Sequence, residues 1–425
     1  MIKILKCGQV PKSEIFARFE PTVSVEGIVS EIISQVRQRG DNALFEYCEK
    51  FDKVKLSALE VSKEEIEDAY RSVDSELIAV MEKAKENIVA FHSRQKREGF
   101  EIRKENGVIV GQLVLPVEKA GLYVPGGTAA YPSTVLMDAI PAKIAGVKEM
   151  VMVTPPGRDG NVNPVILASA KVAGVDRIFK VGGAQAIAAL AYGTQSIPKV
   201  DKIVGPGNAF VAEAKRQVYG VVSIDMIAGP SEILVVSDNK SNPKHIASDL
   251  LSQAEHDINA SAVLVTDDAD FAVAVAEQIE EQLPQLERSE IARKSVDNNG
   301  KIIVADNLDE VIEIANEIAP EHLELCVDDP FSYLPKIKHA GSVFMGRFCP
   351  EALGDYFAGP NHTLPTSGTA RFSSPLGVDD FIKKTQYTYY TEDALNEVAQ
   401  SVAKFATAEG LTAHAKSAVI RTEKK

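Results

Sequence analysis

Residues 201–219 read DKIVGPGNAFVAEAKRQVY and contain, in one stretch, the unit from which the fold is built. A short apolar run ends at Val204, a loop with two glycines follows, and a helical pattern covers 209–219. Glycine at such a junction permits the tight turn from a strand into a helix. The stretch therefore predicts one β–α unit.

The same alternation recurs on both sides of this stretch. Apolar runs typical of strands lie at 108–115, 120–124, 150–154, 177–181, 201–204, 232–236, 262–266 and 301–305. Helical patterns between them cover 134–145, 165–173, 184–192, 209–219, 245–253 and 271–282. Repeated β–α alternation predicts parallel sheets. Because there are too many units for one compact sheet, we expect an α/β fold with two Rossmann-like doubly wound lobes and helical N-terminal and C-terminal extensions.

The two ends of the chain have a helical pattern. Ser62 and Glu65 predict a capping box at the start of one N-terminal helix. Thr391 predicts the start of the last long helix, and Gly410 predicts its end. We expect four regions along the chain, which are 1–106, 107–235, 236–370 and 371–425.

Composition excludes several classes of protein. The 425 residues include 46 basic and 60 acidic side chains, for a net charge of −14, and no basic stripe is visible, so we expect no nucleic-acid partner. No apolar run approaches the roughly 18 residues that indicate a membrane span, so we expect no membrane association. The four cysteines form no C-x-x-C motif, which is typical of a protein of the reducing cytoplasm.

Three predicted strand-to-helix junctions are rich in glycine, at 124–128, 181–185 and 204–208. Such loops let a backbone approach a ligand closely, and a helix N-terminus attracts anions. A dinucleotide pyrophosphate would suit these junctions. Gln185 and Asn208 each place an amide at a helix start, which adds some weight to a binding role.

The third junction is a near match to the dinucleotide fingerprint. Gly205 and Gly207 fit, and Asp225 follows about twenty residues later, as the fingerprint requires. Phe210 stands where the third glycine belongs. On spacing alone, a tight turn that needs glycine only for its geometry explains this junction as well as a dinucleotide site does.

Six of the seven histidines follow residue 240. Gln253 and His256 are three residues apart, so both can point from one helix face toward a metal, although a polar helix end explains this pair better on its own. Glu321 and His322 stand at the start of a predicted strand after Pro320. A histidine beside a carboxylate is a common general base, and the alternative is a surface ion pair.

Two further acid–histidine groups complete the set. Asp355 and His362 lie in a predicted long loop rich in glycine and proline, and Glu409 and His414 follow the last long helix. Long loops of this kind are usually functional. Together these motifs suggest a mixed nitrogen and oxygen site for one divalent ion at Gln253, His256, Asp355 and His414. Glu321 and His322 would then be free for proton transfer.

With these motifs assembled, the chain resembles the histidinol dehydrogenases over nearly its whole length. The strings that carry the resemblance are GLYVPGG (121–127), GPGNAFV (205–211), AGPSE (228–232), LSQAEH (251–256), PEHLE (320–324), GDY (354–356), NHTLPT (361–366) and EGLTAH (409–414). The sequence shows no departure at a position that this family uses for chemistry.

The resemblance implies an NAD-dependent oxidation of L-histidinol, through L-histidinaldehyde, to L-histidine, the last step of histidine biosynthesis. It implies one zinc ion per subunit. His322 would be the base, and Glu321 would activate water. The implied zinc ligands are Gln253, His256, Asp355 and His414.

The resemblance also implies the binding residues and the partner. The implied substrate contacts are Ser231, Gln253, His256, His322, Asp355, His362, Glu409 and His414, and the implied NAD contacts are Tyr123, Gln185 and Asn208. The first lobe would bind NAD, and the second would carry the metal and catalytic residues. The tail, 371–425, would be exchanged between the subunits of a homodimer, so that active sites are shared. A zinc-dependent hydrolase with the same metal is the alternative, and a non-enzymatic dinucleotide-binding module is third.

Overall fold

The computed structural model describes residues 1–18, 24–126 and 131–423. The chain divides into two compact units. The first comprises 1–95 and 117–381, and the second comprises 96–116 and 382–425. The predicted glycine junction at 124–128 lies in part outside the described residues.

The strands and helices of the described residues are as follows. The strands are β1 (Lys3–Lys6), β2 (Phe100–Arg103), β3 (Ile109–Pro116), β4 (Lys119–Tyr123), β5 (Glu149–Thr154), β6 (Arg177–Lys180), β7 (Lys202–Val204), β8 (Ser223–Ile224), β9 (Glu232–Ser237), β10 (Ser261–Thr266), β11 (Lys301–Val304), β12 (His322–Cys326), β13 (Ser342–Met345) and β14 (Ile382–Tyr389). The helices are α1 (Lys12–Ile15), α2 (Glu26–Arg39), α3 (Asp41–Tyr47), α4 (Lys63–Ser72), α5 (Ser75–His92), α6 (Pro132–Ala145), α7 (Pro164–Ala173), α8 (Gly183–Tyr192), α9 (Ala209–Val218), α10 (Pro243–Ala254), α11 (Ala269–Gln282), α12 (Ser289–Asn298), α13 (Leu308–Ile318), α14 (Pro330–Tyr333), α15 (Glu351–Leu353), α16 (Glu392–Ala408) and α17 (Thr412–Val419).

The first unit contains two parallel sheets, which confirms the predicted α/β class. One sheet has five strands in the order β6-β5-β4-β7-β8, and the other has six in the order β1-β11-β10-β9-β12-β13. Apolar cores cover both faces of each sheet. Strands covered on both faces are expected to be continuous apolar runs, and β5, β9 and β10 are buried along nearly their whole length.

The sheets cross the predicted region boundaries. β1 lies in the region predicted to be helical, yet it pairs with β11 at the edge of the six-stranded sheet. β9 begins before residue 236 and belongs to the same six-stranded sheet. A four-residue strand gives too little periodicity to reveal its partner, which lies about 300 residues further along the chain.

The second unit holds the strand predicted at 108–115. This strand, β3, pairs with β2 and β14 in an antiparallel sheet and does not join the first lobe. Its residues alternate in exposure, as a sheet with one open face requires. The C-terminal extension, predicted to be helical, therefore contains a strand as well as α16 and α17.

The predicted helix ends are confirmed. Ser62 and Glu65 form a reciprocal capping box, the Thr391 hydroxyl accepts a hydrogen bond from the Ala394 N–H, and α16 ends just before Gly410. The four cysteine thiols are free. Among the described residues, no helix is both long enough and apolar enough to cross a membrane.

Candidate active site

His322 is the first residue of β12, and it pairs with Ile233 of β9 on one side and with Ser342 of β13 on the other. Its Nδ1 lies 3.0 Å from the carbonyl oxygen of Glu232. The side chain is 3 % exposed. The histidine therefore sits at the amino-terminal end of the sheet, whereas open α/β sheets usually bind ligands at the carboxyl end.

Three carboxylates surround the His322 ring. Nδ1 lies 3.6 Å from Glu321 Oε2 and 3.6 Å from Glu351 Oε1, and Nε2 lies 3.5 Å from Asp355 Oδ1. Burial alone would lower the pKa of His322, but the carboxylates, with Glu351 and Glu321 foremost, raise it well above its usual value. The cluster therefore stabilises the protonated form of this imidazole.

The Glu321 carboxyl lies beside the ring of its neighbour His322, as the position at a strand start predicts. Its Oε2 accepts a 2.8 Å hydrogen bond from the Glu232 N–H. Burial raises the pKa of Glu321 to about 8, although His322 opposes the shift. A carboxylate with this pKa takes a proton from water more readily than an ordinary glutamate does.

Gln253 is the penultimate residue of α10, and its side chain is fully buried. Its Nε2 lies 3.2 Å from His322 Nδ1, and its Oε1 has no hydrogen-bond partner among the described residues. His256 follows in the turn after the helix, so the prediction that both residues lie on one helix face is wrong. The backbone N–H of His256 instead bonds to the carbonyl of Gln253, because α10 stops at Ala254.

His256 and His362 both face Asp355. Burial lowers the pKa of each imidazole, and the charge of Asp355 opposes the shift. His362 Nδ1 lies 3.0 Å from the carbonyl oxygen of Asp355, and its Nε2 lies 3.3 Å from the hydroxyl of Thr134. Both imidazoles therefore favour the neutral form, which is the form that binds metals.

The segment that carries Asp355 is more ordered than the predicted loop. It begins as α15, which continues into a π-helical turn over Gly354–Ala358. The contact with His322 lowers the pKa of Asp355 against the effect of burial, so the carboxylate is charged. π-Helical turns of this kind occur frequently at functional sites.

Sequence reasoning missed Glu351, the first residue of α15. Ligand atoms of His322, Glu351 and Asp355 all lie within 4.8 Å of one another, so these three could also hold a metal ion. Pro350 at the N-cap position was the available signal, since proline before an acidic residue marks a helix start. The predicted metal ligands, which are Gln253, His256, Asp355 and His414, have only Asp355 in common with this group.

Two strands that precede predicted glycine junctions lie at the switch point of the five-stranded sheet, whereas β6, which precedes the third junction, is at the edge of the sheet. β4 and β7 are neighbours where the strand order reverses, and Tyr123 ends β4. The Tyr123 hydroxyl accepts a 3.1 Å hydrogen bond from the Gly183 N–H at the start of α8. Gln185 is buried in the first turn of α8, and the side-chain oxygen of Asn208 caps α9.

Asp225 does not have the position that the dinucleotide fingerprint requires. Its side chain is 1 % exposed and forms an ion pair with Lys215, which is equally buried. Its two oxygens also accept hydrogen bonds from the N–H groups of Gly205 (2.8 Å) and Met226 (2.6 Å). A carboxylate engaged in this way is not available to a ribose hydroxyl, so the fingerprint match reflects loop structure.

The remaining predicted residues are dispersed. Ser231 is half-buried at the amino-terminal end of β9, beside Glu232. Glu409 and His414 belong to the second unit, at the end of α16 and in the first turn of α17, and both are exposed.

A buried glutamate and a half-buried aspartate adjoin the site as a pair. Glu324 of β12 accepts a 2.7 Å hydrogen bond from the Glu351 N–H and contacts Asp249 of α10. Burial raises the pKa of Asp249 to about 6 from its usual 3.8. A carboxyl whose pKa is raised on folding stabilises the fold below its unfolded pKa, and this contribution is lost as the pH rises through about 6.

Asp249→Asn is therefore expected to stabilise the protein above pH 7, by about 1–3 kcal/mol given ~1.4 kcal/mol per pKa unit. The gain should disappear below about pH 3, where Asp249 is protonated in both the folded and unfolded states. Urea unfolding at several pH values measures this difference. An equal change in the unfolding free energy at pH 4 and pH 8 would contradict the assignment.

The fold is shared with a solved structure of low sequence identity. An acetylating aldehyde dehydrogenase from Geobacillus thermoglucosidasius has a TM-score of 0.50 at 14% identity, over 86% of this chain and 98% of that one, which shows a shared fold alone. The class is thus that of α/β proteins with parallel doubly wound sheets.

Closer relatives define the family. Residues 18–422 match the family model described as Histidinol dehydrogenase, and the chain belongs to that family, whose members are oxidoreductases. A histidinol dehydrogenase from Clostridium acetobutylicum is 55% identical over 99% of both chains, and one from Syntrophotalea carbinolica is 58% identical over 96% of this chain and 95% of that one. A crystal structure of the enzyme from Elizabethkingia anophelis has a TM-score of 0.93 at 40% identity, covering 99% and 98% of the two chains.

Proposed function

We propose that this chain oxidises L-histidinol with NAD, through L-histidinaldehyde, to L-histidine. The observation that carries the proposal is the buried His322 ring, held between Glu321, Glu351 and Asp355 at 3.5–3.6 Å. A histidine in this position can act as the base that removes a proton from an alcohol. Membership of the histidinol dehydrogenase family supports L-histidinol as that alcohol.

The residues around Gln253 fit a zinc ion. Gln253 offers a buried side-chain oxygen that has no hydrogen-bond partner in the part of the chain that the structure describes, His256 favours the neutral imidazole, and Asp355 is charged. Carboxylate and amide oxygens and an imidazole nitrogen are ligand atoms of the kind that would hold zinc. We assign a further nitrogen ligand to His414 of a second subunit. When bound, zinc would orient the amino and imidazole nitrogens of the substrate and polarise them.

His322 carries the proton step of each oxidation. In its neutral form the ring directs its Nδ1 hydrogen at the Glu232 carbonyl oxygen, which leaves Nε2 to accept the alcohol proton. Nε2 has no hydrogen-bond partner among the described residues. The surrounding carboxylates stabilise the imidazolium that forms, and NAD supplies the hydride acceptor.

Glu321 acts between the two oxidations. Its raised pKa suits a group that takes a proton from water as the water adds to the aldehyde. The product of that addition is a diol, from which His322 can again remove a proton. The hydrogen bond from the Glu232 N–H keeps the Glu321 carboxyl beside the ring.

The remaining residues bind the two substrates. We assign NAD contacts to Tyr123, Gln185 and Asn208. Tyr123 ends β4 at the switch point, Gln185 lies in the first turn of α8, and Asn208 is the N-cap of α9. We assign contacts with L-histidinol to Ser231, His362 and Glu409, in addition to the zinc ligands and His322. A cytoplasmic location stays a prediction.

Incubation of the purified protein with L-histidinol and NAD tests the proposal through the absorbance of NADH. We expect NADH to form and a zinc chelator to stop its formation. If the protein forms no NADH while it binds zinc, the proposal is wrong. A zinc-dependent hydrolase would then be the better assignment.

We further propose a homodimer in which 371–425 is exchanged, so that Glu409 and His414 serve the partner's site. Both are exposed in the single chain, and Phe405 on the preceding helix is 73% exposed. A mixture of inactive His322→Ala and inactive His414→Ala proteins is therefore expected to regain up to about a quarter of the wild-type activity after subunit exchange. In a random equal mixture about half of the dimers are heterodimers, and one of the two sites in each heterodimer contains both an intact His322 and an intact His414. If proven heterodimers stay inactive, each site is built within one chain.

A further inference from the structure

We propose that Asp138 is a positioning residue that couples the substrate loop to the dinucleotide loop. The substrate loop is 361–366, which contains His362, and the dinucleotide loop is 204–208, which contains Asn208. The roles of these two loops rest on the proposed function, whereas the contacts that join them do not.

Three consecutive residues of the substrate loop form hydrogen bonds with α6. The Asn361 side chain donates a 2.7 Å hydrogen bond to the Met137 carbonyl oxygen. His362 Nε2 lies 3.3 Å from the Thr134 hydroxyl. The Thr363 hydroxyl donates a 3.2 Å hydrogen bond to Asp138 Oδ1. Asp138, which is completely buried, is thus one of the anchor points of this loop.

The other oxygen of Asp138 faces the dinucleotide loop. A Cβ atom built on Gly205 would lie 3.0 Å from Asp138 Oδ2 and 2.1 Å from the Tyr123 carbonyl oxygen. The backbone of Gly205 therefore packs directly against the Asp138 carboxyl, with no space for a side chain. Asp138 Oδ2 has no hydrogen-bond partner among the described residues.

The Gly205 peptide is held on its other sides by a buried ion pair. Its N–H donates to Asp225 Oδ2 at 2.8 Å, and its carbonyl oxygen accepts from Lys215 Nζ at 3.0 Å. Lys215 and Asp225 neutralise each other. A second negative charge at Asp138 would lack a counter-charge in this interior.

Asp138 is therefore a neutral acid. Burial first, and then the charge of Asp225, raise its pKa well above the usual value. A neutral carboxyl can accept the hydrogen bond from Thr363 and still lie against the Gly205 backbone without charge repulsion. A shift of the substrate loop is then transmitted through one side chain to the loop that carries Asn208.

Three variants test the coupling. Asp138→Leu removes the polar contact at nearly the same volume, Asp138→Asn keeps a neutral group that can accept a hydrogen bond, and Thr363→Val removes the donating hydroxyl with little change of shape. Ser169→Ala is the matched control, because it removes a buried hydroxyl from the neighbouring helix α7 that bonds only to the Ile166 carbonyl oxygen among the described residues.

Hydrogen exchange of the backbone amides in the two loops is the primary readout. Asp138→Leu and Thr363→Val are expected to speed exchange in both 204–208 and 361–366, and to raise KM for both NAD and L-histidinol by about threefold to tenfold, as loss of a buried hydrogen bond implies. Asp138→Asn and Ser169→Ala should remain within about twofold of the wild type.

The proposal is overturned if exchange changes in one loop alone, or if Asp138→Asn is as damaging as Asp138→Leu. If Asp138→Leu does not fold, Thr363→Val decides the question by the same criterion. The exchange result can be read even if the wild-type protein forms no NADH, so failure of the coupling is distinguishable from failure of the proposed function.

Discussion

Replacing His322 with glutamine is expected to lower kcat for L-histidinol oxidation by about 10²–10⁴, the usual contribution of a general base. Glutamine retains a polar group near the Glu232 carbonyl oxygen, which the ring approaches to 3.0 Å, but it cannot accept the alcohol proton at neutral pH. His245→Gln, at an exposed position of α10, is the control and should leave kcat unchanged.

The zinc content of His322→Gln separates two roles for this histidine. If Gln253, His256 and Asp355 hold the metal, the variant keeps close to one zinc ion per subunit. His322 also lies in a possible metal-holding group with Glu351 and Asp355. Parallel loss of zinc and activity would show that His322 is a ligand, and the assignment of the base would then be wrong.

Replacing Glu321 with glutamine is expected to divide the reaction between its two oxidations. The amide cannot take a proton from water, so hydration of the aldehyde slows while the first hydride transfer continues. Rapid mixing should show a burst of about one NADH per subunit, followed by steady turnover at least about 10²-fold slower than in the wild type.

Glu317→Gln, an exposed position at the end of α13, is the matched control for the Glu321 variant and should show no burst. If Glu321→Gln slows the first NADH as much as the second, Glu321 does not act in the hydration step. Its hydrogen bond from the Glu232 N–H would then make it a residue that positions His322.

The sequence was sufficient for features that depend on short stretches of chain. Runs such as 150–154 and 262–266 are apolar throughout because both faces of their sheets are covered, and both lie in strands. The Glu321–His322 pair was likewise recognisable, since adjacent residues at a strand start can share a cleft, and their side chains lie 3.6 Å apart.

Features that depend on distant partners were not recognisable. Nothing around Lys3 shows that β1 pairs with β11, and the alternating pattern of β3 does not name β14 as its neighbour. Glu351 joins the site because the turn after β13 brings it back to His322, which no spacing rule describes. Asp225 matched a fingerprint by its distance along the chain, but its partner is the buried Lys215.

The ratio of NADH formed to L-histidine formed tests whether one site carries out both oxidations. Two NADH are expected for each L-histidine, with no free aldehyde detected when a carbonyl-trapping reagent is present during turnover, because His322 and Glu321 act on an intermediate that stays bound. One NADH for each product molecule, or aldehyde released in proportion to NADH, would contradict the assignment of both oxidations to this site.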